Sequence, residues 1–65
     1  MTKVIIKGKF NTVWGLTLAV SLDPGSVIKV DDRIAGDDGN NYIVKGINPP
    51  TRPGNMIYGL IVEGL

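Results

Sequence analysis

The chain has 65 residues, 43% hydrophobic and 20% charged, with a formal net charge of +1; this is enough apolar mass for a core and far from the profile of a disordered chain. At this length it forms one domain, near the lower limit of what folds alone, because so short a chain buries only about 60% of the surface its unfolded form exposes. Cysteine and histidine are absent, which removes disulfide staples, thiolate chemistry, Cys-ligated zinc and the commonest general base near neutral pH. Stability must then come from packing, and neither an enzyme nor a bound cofactor or metal is expected.

Two further classes are set aside at the start of the chain. Lys3, Lys7 and Lys9 are spread among apolar residues, unlike the basic stretch and continuous apolar run of a signal peptide. No apolar segment approaches the roughly 20 residues that cross a bilayer, so the expectation is a cytoplasmic chain without a membrane partner. The only Gly-Lys pair, Gly8-Lys9, is followed by Phe10, so no nucleotide phosphate loop is present.

Residues 3–10 alternate, with Val4, Ile6, Gly8 and Phe10 on one face and Lys3, Ile5, Lys7 and Lys9 on the other; a period of two predicts a strand. After Asn11, residues 12–22 place Trp14, Leu16, Leu18, Val20 and Leu22 on one strongly apolar face, a second and long strand. Gly15 within it suits a bulge or bend. Asp23-Pro24-Gly25-Ser26 reads as a turn in which proline presets the first central position and glycine accepts the positive φ of the second. Val27 to Val30 predicts a short third strand, and Asp31-Asp32 connects it tightly to a fourth at Arg33-Ile34-Ala35.

Asp37-Asp38-Gly39-Asn40 marks the next turn, and Tyr42 to Ile47 the fifth strand. Residues 48–55 hold Pro49, Pro50 and Pro53, so this segment is a stiff loop rather than a ladder. Met56 to Glu63 closes the chain as a sixth strand, with Ile57, Gly59, Ile61 and Glu63 on one face and Met56, Tyr58, Leu60 and Val62 on the other. No helical period survives for ten residues. The reading is an all-β domain, a small six-stranded antiparallel β-barrel, since closure removes the exposed edges that a flat sheet of this size would carry.

Two segments are similar to the second domain of translation GTPases of the elongation factor Tu type. Gly25-Ser26-Val27-Ile28-Lys29-Val30-Asp31-Asp32-Arg33-Ile34 resembles the family's run of a glycine followed by Ile-Lys-Val-Gly-Asp/Glu and an apolar residue. Pro53-Gly54-Asn55-Met56-Ile57-Tyr58-Gly59-Leu60-Ile61-Val62-Glu63-Gly64-Leu65 resembles its Ala-Gly-Asp-Asn-Val-Gly-Leu-Leu-Leu-Arg-Gly-Ile stretch. Asp31 stands at the family's turn glycine, a replacement the position tolerates because Asp can occupy the left-handed region. Glu63 replaces an arginine, and Trp14-Gly15-Leu16-Thr17 replaces a basic Gly-Arg-Gly-Thr element. The resemblance implies a stand-alone barrel that binds an RNA, a ribosomal component or a protein without catalysis.

The candidate contact residues are Arg52 and Asn55 on the proline-rich loop, the aromatics Tyr42 and Tyr58, and the basic Lys7 and Lys9. Stacking aromatics beside basic groups is how single strands are bound, and a phenol can bury its ring while its hydroxyl stays wet. Phe10 reads as core, and Trp14 as core or core edge. Asp31, Asp32, Asp37 and Asp38 read as turn formers, because they lack the alternating ligand spacing and terminal Glu of a calcium loop. A second reading is a barrel that self-associates through an unpaired edge strand, with no nucleic-acid role.

Overall fold

The computed structural model describes residues 2–22, 25–50 and 56–65. Five strands follow in chain order: β1 (Thr2–Thr12), β2 (Gly15–Ser21), β3 (Arg33–Gly36), β4 (Asn41–Asn48) and β5 (Ile57–Gly64). They lie in one sheet in the order β1-β2-β5-β4-β3, and β3 returns to β1, so the sheet closes on itself. Four pairings are antiparallel, whereas β1 and β3 pair in parallel through only three residue pairs, Thr2 with Ile34, Lys3 with Ala35 and Val4 with Gly36.

The all-β expectation holds, and two finer parts of it do not: there are five strands among the described residues rather than six, and one pairing is parallel. The missing strand is the one expected at Val27 to Val30. Its backbone is drawn into a turn, in which the Lys29 amide donates to the Asp32 carboxylate (2.9 Å) and the Asp32 amide donates to the Lys29 carbonyl (3.1 Å). Asp31, at the centre of the turn, has a φ of 74° and is the sole non-glycine with positive φ among the described residues. Val27 and Val30 are consequently exposed, and Ile28 packs on the core. The turn glycine expected at Gly25 does take a positive φ, 84°.

Every strand contributes to one core: Val4 from β1, Leu18 and Val20 from β2, Ile34 from β3, Tyr42 and Val44 from β4, Leu60 and Val62 from β5. The inward faces of β2 and β5 are the apolar faces read from the sequence. In β1 and β4 the alternation is broken once in each strand. The register with β2 shifts between Ile6 and Gly8, and that with β5 between Val44 and Gly46. In each case a lysine, Lys7 or Lys45, is the extra residue of a β-bulge and is followed by a glycine.

A bulge exchanges the faces beyond it. Val4 and Ile6 point inward before Lys7, but past it Lys9 lies opposite the buried Leu18 and Phe10 opposite Thr17. Phe10 is therefore on the outside, 57% exposed, which corrects its expected place in the core. Its ring lies over Gly8, where an added Cβ would come within 2.9 Å of it; Ile61 covers Gly46 in the same way (3.1 Å). Each bulge thus leaves a glycine on the outer surface and a large apolar side chain covering it.

The hairpin between β1 and β2 is a second correction. β1 runs on through Thr12, and the chain reverses at Val13-Trp14 rather than at Asn11. Gly15 is the residue that makes this reversal possible, with a φ of 113°. Trp14 is consequently at a hairpin tip, 71% exposed, and not in the core.

Leu18→Ala should cost about 2–5 kcal/mol, a large share of the stability of so small a domain, measured as a fall in the urea midpoint. Gly36→Ala should cost more than Gly8→Ala, about 1–3 kcal/mol as an overpacking effect. A Cβ at Gly36 would lie 2.6 Å from the Asp38 carboxylate and 2.7 Å from Ile6 Cδ1, whereas at Gly8 only the movable Phe10 ring is in the way. Equal midpoints for the two variants would show that the β1–β3 contact is not tight.

Candidate binding surface

The seam between β1 and β3 organises one end of the barrel. Backbone pairing stops at Val4 and Gly36, and side chains of the β3–β4 turn continue it. Asp37 Oδ1 accepts the next free amide, that of Ile6, at 2.9 Å. Asp38 reaches further along β1 and forms an ion pair with Lys9. The same carboxylate accepts the Tyr42 hydroxyl at 2.7 Å and the Asn40 amide at 3.0 Å, while Lys9 Nζ lies 5.7 Å from the centroid of the Tyr42 ring. The buried ring of Tyr42 thus fills the mouth of the barrel, with its hydroxyl and the Lys9–Asp38 pair above it.

These contacts set the charges of the cluster. The Lys9 ammonium, then the Tyr42 hydroxyl and the Asn40 amide, hold the Asp38 carboxyl well below the usual carboxylate range. Asp38, then Tyr42, raise Lys9 above its ordinary value. Both shifts favour the charged forms, as an ion pair requires. The cluster is a clasp that ties the β3–β4 turn to β1.

The candidate contact residues are not gathered in one place. Lys9 and Tyr42 come together, but as partners of each other and of Asp38. Tyr58 faces inward and packs on the core from β5. Tyr42 lies opposite Gly64, and Tyr58 is six positions earlier on the same strand, so the two tyrosines occupy opposite ends of the barrel, about 20 Å apart. Lys7 is exposed at its bulge. Arg52 and Asn55 lie outside the described residues, as does the central part of the proline-rich loop.

What residue-by-residue reading missed is the hairpin tip. Two-residue hairpin turns usually demand positive φ at the tip, hence Asn-Gly or Gly-rich pairs. Here neither Val13 nor Trp14 has positive φ, and Gly15 carries that conformation for them. The Thr12 hydroxyl fastens the turn from within: it accepts the Trp14 amide at 3.2 Å, donates to the Gly15 carbonyl at 3.1 Å and lies 3.1 Å from the Thr17 hydroxyl. Turn formation therefore asks nothing of the side chains at positions 13 and 14. They are nevertheless a valine, 92% exposed, and the single tryptophan of the chain, with Phe10 on the adjoining outer face.

Comparison of the chain with protein-family models, with curated proteins and with solved structures returns no match.

The clasp fixes a pH profile. Asp38 is depressed from an ordinary value of 3.8, so its contribution to stability is complete above about pH 4 and lost as the pH falls further. Lys9 is raised from 10.5, so its contribution is complete below that pH and lost as the pH rises beyond it. Urea midpoints measured across the acid range should fall less steeply for Lys9→Met than for the parent chain, and the difference should shrink in high salt because the pair is exposed. Parallel acid limbs would show that Lys9 does not hold Asp38.

Proposed function

We propose that this chain is a non-catalytic binding module, a barrel of the kind found as domain 2 of translation elongation factors, which docks on a protein partner through the tip of its β1–β2 hairpin. The observation that carries the proposal is the apolar pair Val13-Trp14, displayed at a turn whose geometry is supplied entirely by Thr12 and Gly15. Tryptophan is among the residues enriched at the energetic centres of protein interfaces. A rigid barrel is the scaffold on which such a loop keeps its shape.

The charge around the tip favours protein over RNA. Lys9, the basic residue next to Phe10, is neutralised by Asp38, and Glu63 adds a carboxylate near the end of β5. With a net charge of +1 the chain lacks the basic excess that phosphate binding uses. The likeness to elongation factor domain 2 has its support in the left-handed Asp31, which stands at the family's turn glycine, and in the order of the two matched segments. The absence of histidine, cysteine and a phosphate loop supports the non-catalytic part.

NMR titration tests the proposal, with ribosomal proteins, intact ribosomes and RNA added separately to the labelled chain at low salt. The expected result is movement of the Trp14 indole and the residue 10–15 amides with a protein component, lost in Trp14→Ala while the remaining spectrum is kept. Movement with RNA alone would replace the protein partner by a nucleic acid. A spectrum unchanged by every component would overturn docking in translation.

A further inference from the structure

The short seam leaves part of β1 without a neighbouring strand among the described residues. β2 accompanies β1 from Ile5 to Thr12 on one side. On the other side β3 ends beside Val4, and Asp37 takes the Ile6 amide. Beyond Lys7, no described strand pairs with that side of β1.

Which backbone groups are free follows from strand alternation, since successive residues direct their N–H and C=O to opposite sides. Thr12 closes the hairpin toward β2, so Phe10 and Gly8 also face β2, and Asn11 and Lys9 face away. Ile6 turns its amide away from β2 to Asp37, and the extra residue at Lys7 brings Gly8 back to face β2. Unpaired among the described residues, this edge therefore offers two amides and two carbonyls, those of Lys9 and Asn11, with Phe10 between them on the outer face.

We infer that this edge pairs antiparallel with the same edge of a second copy, about a two-fold axis at Phe10, joining the two barrels through a continuous β2-β1-β1-β2 sheet. The edge is self-complementary in that register, as a two-fold contact must be. Lys9 stands opposite Asn11 of the second copy and exchanges two N–H···O=C bonds with it; the symmetry-related pair adds two more, so all eight free groups are used. Phe10 meets its own counterpart at a non-hydrogen-bonded position, where Cα atoms are about 4.5 Å apart and side chains are closest. Gly8 stands opposite Thr12, which leaves room for the two rings.

Neighbouring registers are worse. Centring on Lys9 sets two lysines directly opposite each other, a destabilising arrangement. Centring on Asn11 sets Lys9 opposite Val13, which belongs to the turn. In the Phe10-centred register the two Lys7 residues are six positions apart, about 20 Å, beyond a Debye length at physiological salt, and each Lys9 is already paired with Asp38 of its own chain. Charge therefore does not oppose the contact, and the exposed Phe10 ring is covered. A second copy satisfies both the backbone and the aromatic side chain of this edge.

Analytical ultracentrifugation and amide exchange on the intact chain test the inference. A monomer–dimer equilibrium is expected, with exchange at Lys9 and Asn11 slowing as concentration rises; Gly8 and Phe10, bonded to β2, should be protected at every concentration. Phe10→Lys should weaken association about tenfold or more while keeping the folded monomer spectrum. A chain monomeric into the millimolar range would overturn the inference. So would a dimer in which Lys9 and Asn11 exchange freely, or one indifferent to Phe10→Lys. A strict monomer whose Trp14 indole still moves on adding a protein component overturns the dimer alone, because docking rests on the turn and the dimer on the edge.

Discussion

A four-residue strand has to close a sheet whose first strand has eleven residues, and the rest of the molecule depends on how that mismatch is met. β3 covers about 13 Å of a β1 that extends about 36 Å. Backbone pairing holds the first part of the seam, and two consecutive aspartates hold the next: Asp37 on the Ile6 amide, Asp38 on the Lys9 side chain. Without them, the amide of Ile6 would face a gap and Tyr42 would lose both its hydroxyl partner and the cation over its ring. Gly36, directly before this pair, leaves no room for a side chain, because Ile6 and Asp38 occupy that space.

Lys9 can play this part only because of the Lys7 bulge. In an unbroken strand Lys9 would point outward with Lys7, and Phe10 would enter the barrel mouth in its place. The extra residue reverses them, so the clasp over the barrel mouth and the aromatic on the outer wall arise from a single backbone irregularity. The same device recurs in β4, where Lys45-Gly46 follows Ile43-Val44 as Lys7-Gly8 follows Ile5-Ile6. In β4 the exchange brings Ile47 to the inside, where it packs on the core.

The sequence made the regular strands legible. In β2 and β5 the apolar face runs unbroken from Leu16 to Val20 and from Tyr58 to Val62, and period two was enough to find both faces and the core. It failed in β1, because counting by twos assumes no inserted residue. A readable sign was present: Gly8 fell on the supposed inner face, where a small barrel has no use for a missing side chain. The hairpin is hidden for a related reason, since Gly15 has the pattern of a bend within a strand and not that of a residue that permits a turn before it. Asp37 and Asp38 are legible as turn residues, but their partners lie about 30 positions earlier in β1, and closure in three dimensions is what brings them together. Val27 to Val30 had the composition of a strand, yet Asp32, three residues on from Lys29, offered a local hydrogen bond that won.

The same mismatch that needs a clasp also creates the surface. Had β3 been as long as β1, no backbone group of Lys9 or Asn11 would be left over, and Phe10 would lie in the middle of a closed wall. A bulge with a lysine is a common way to protect an edge, and Lys7 protects the part of β1 nearest the seam. Past it, Gly8, Phe10 and Asn11 carry no charge, and Lys9 reaches across the barrel mouth to Asp38, so the residue best suited to guard the edge has been given to closing the barrel. Interior substitutions act on whether the barrel closes. Those at Phe10, Val13 and Trp14 act on what the closed barrel meets, because none of these side chains is buried in the core or required by the turn that displays two of them.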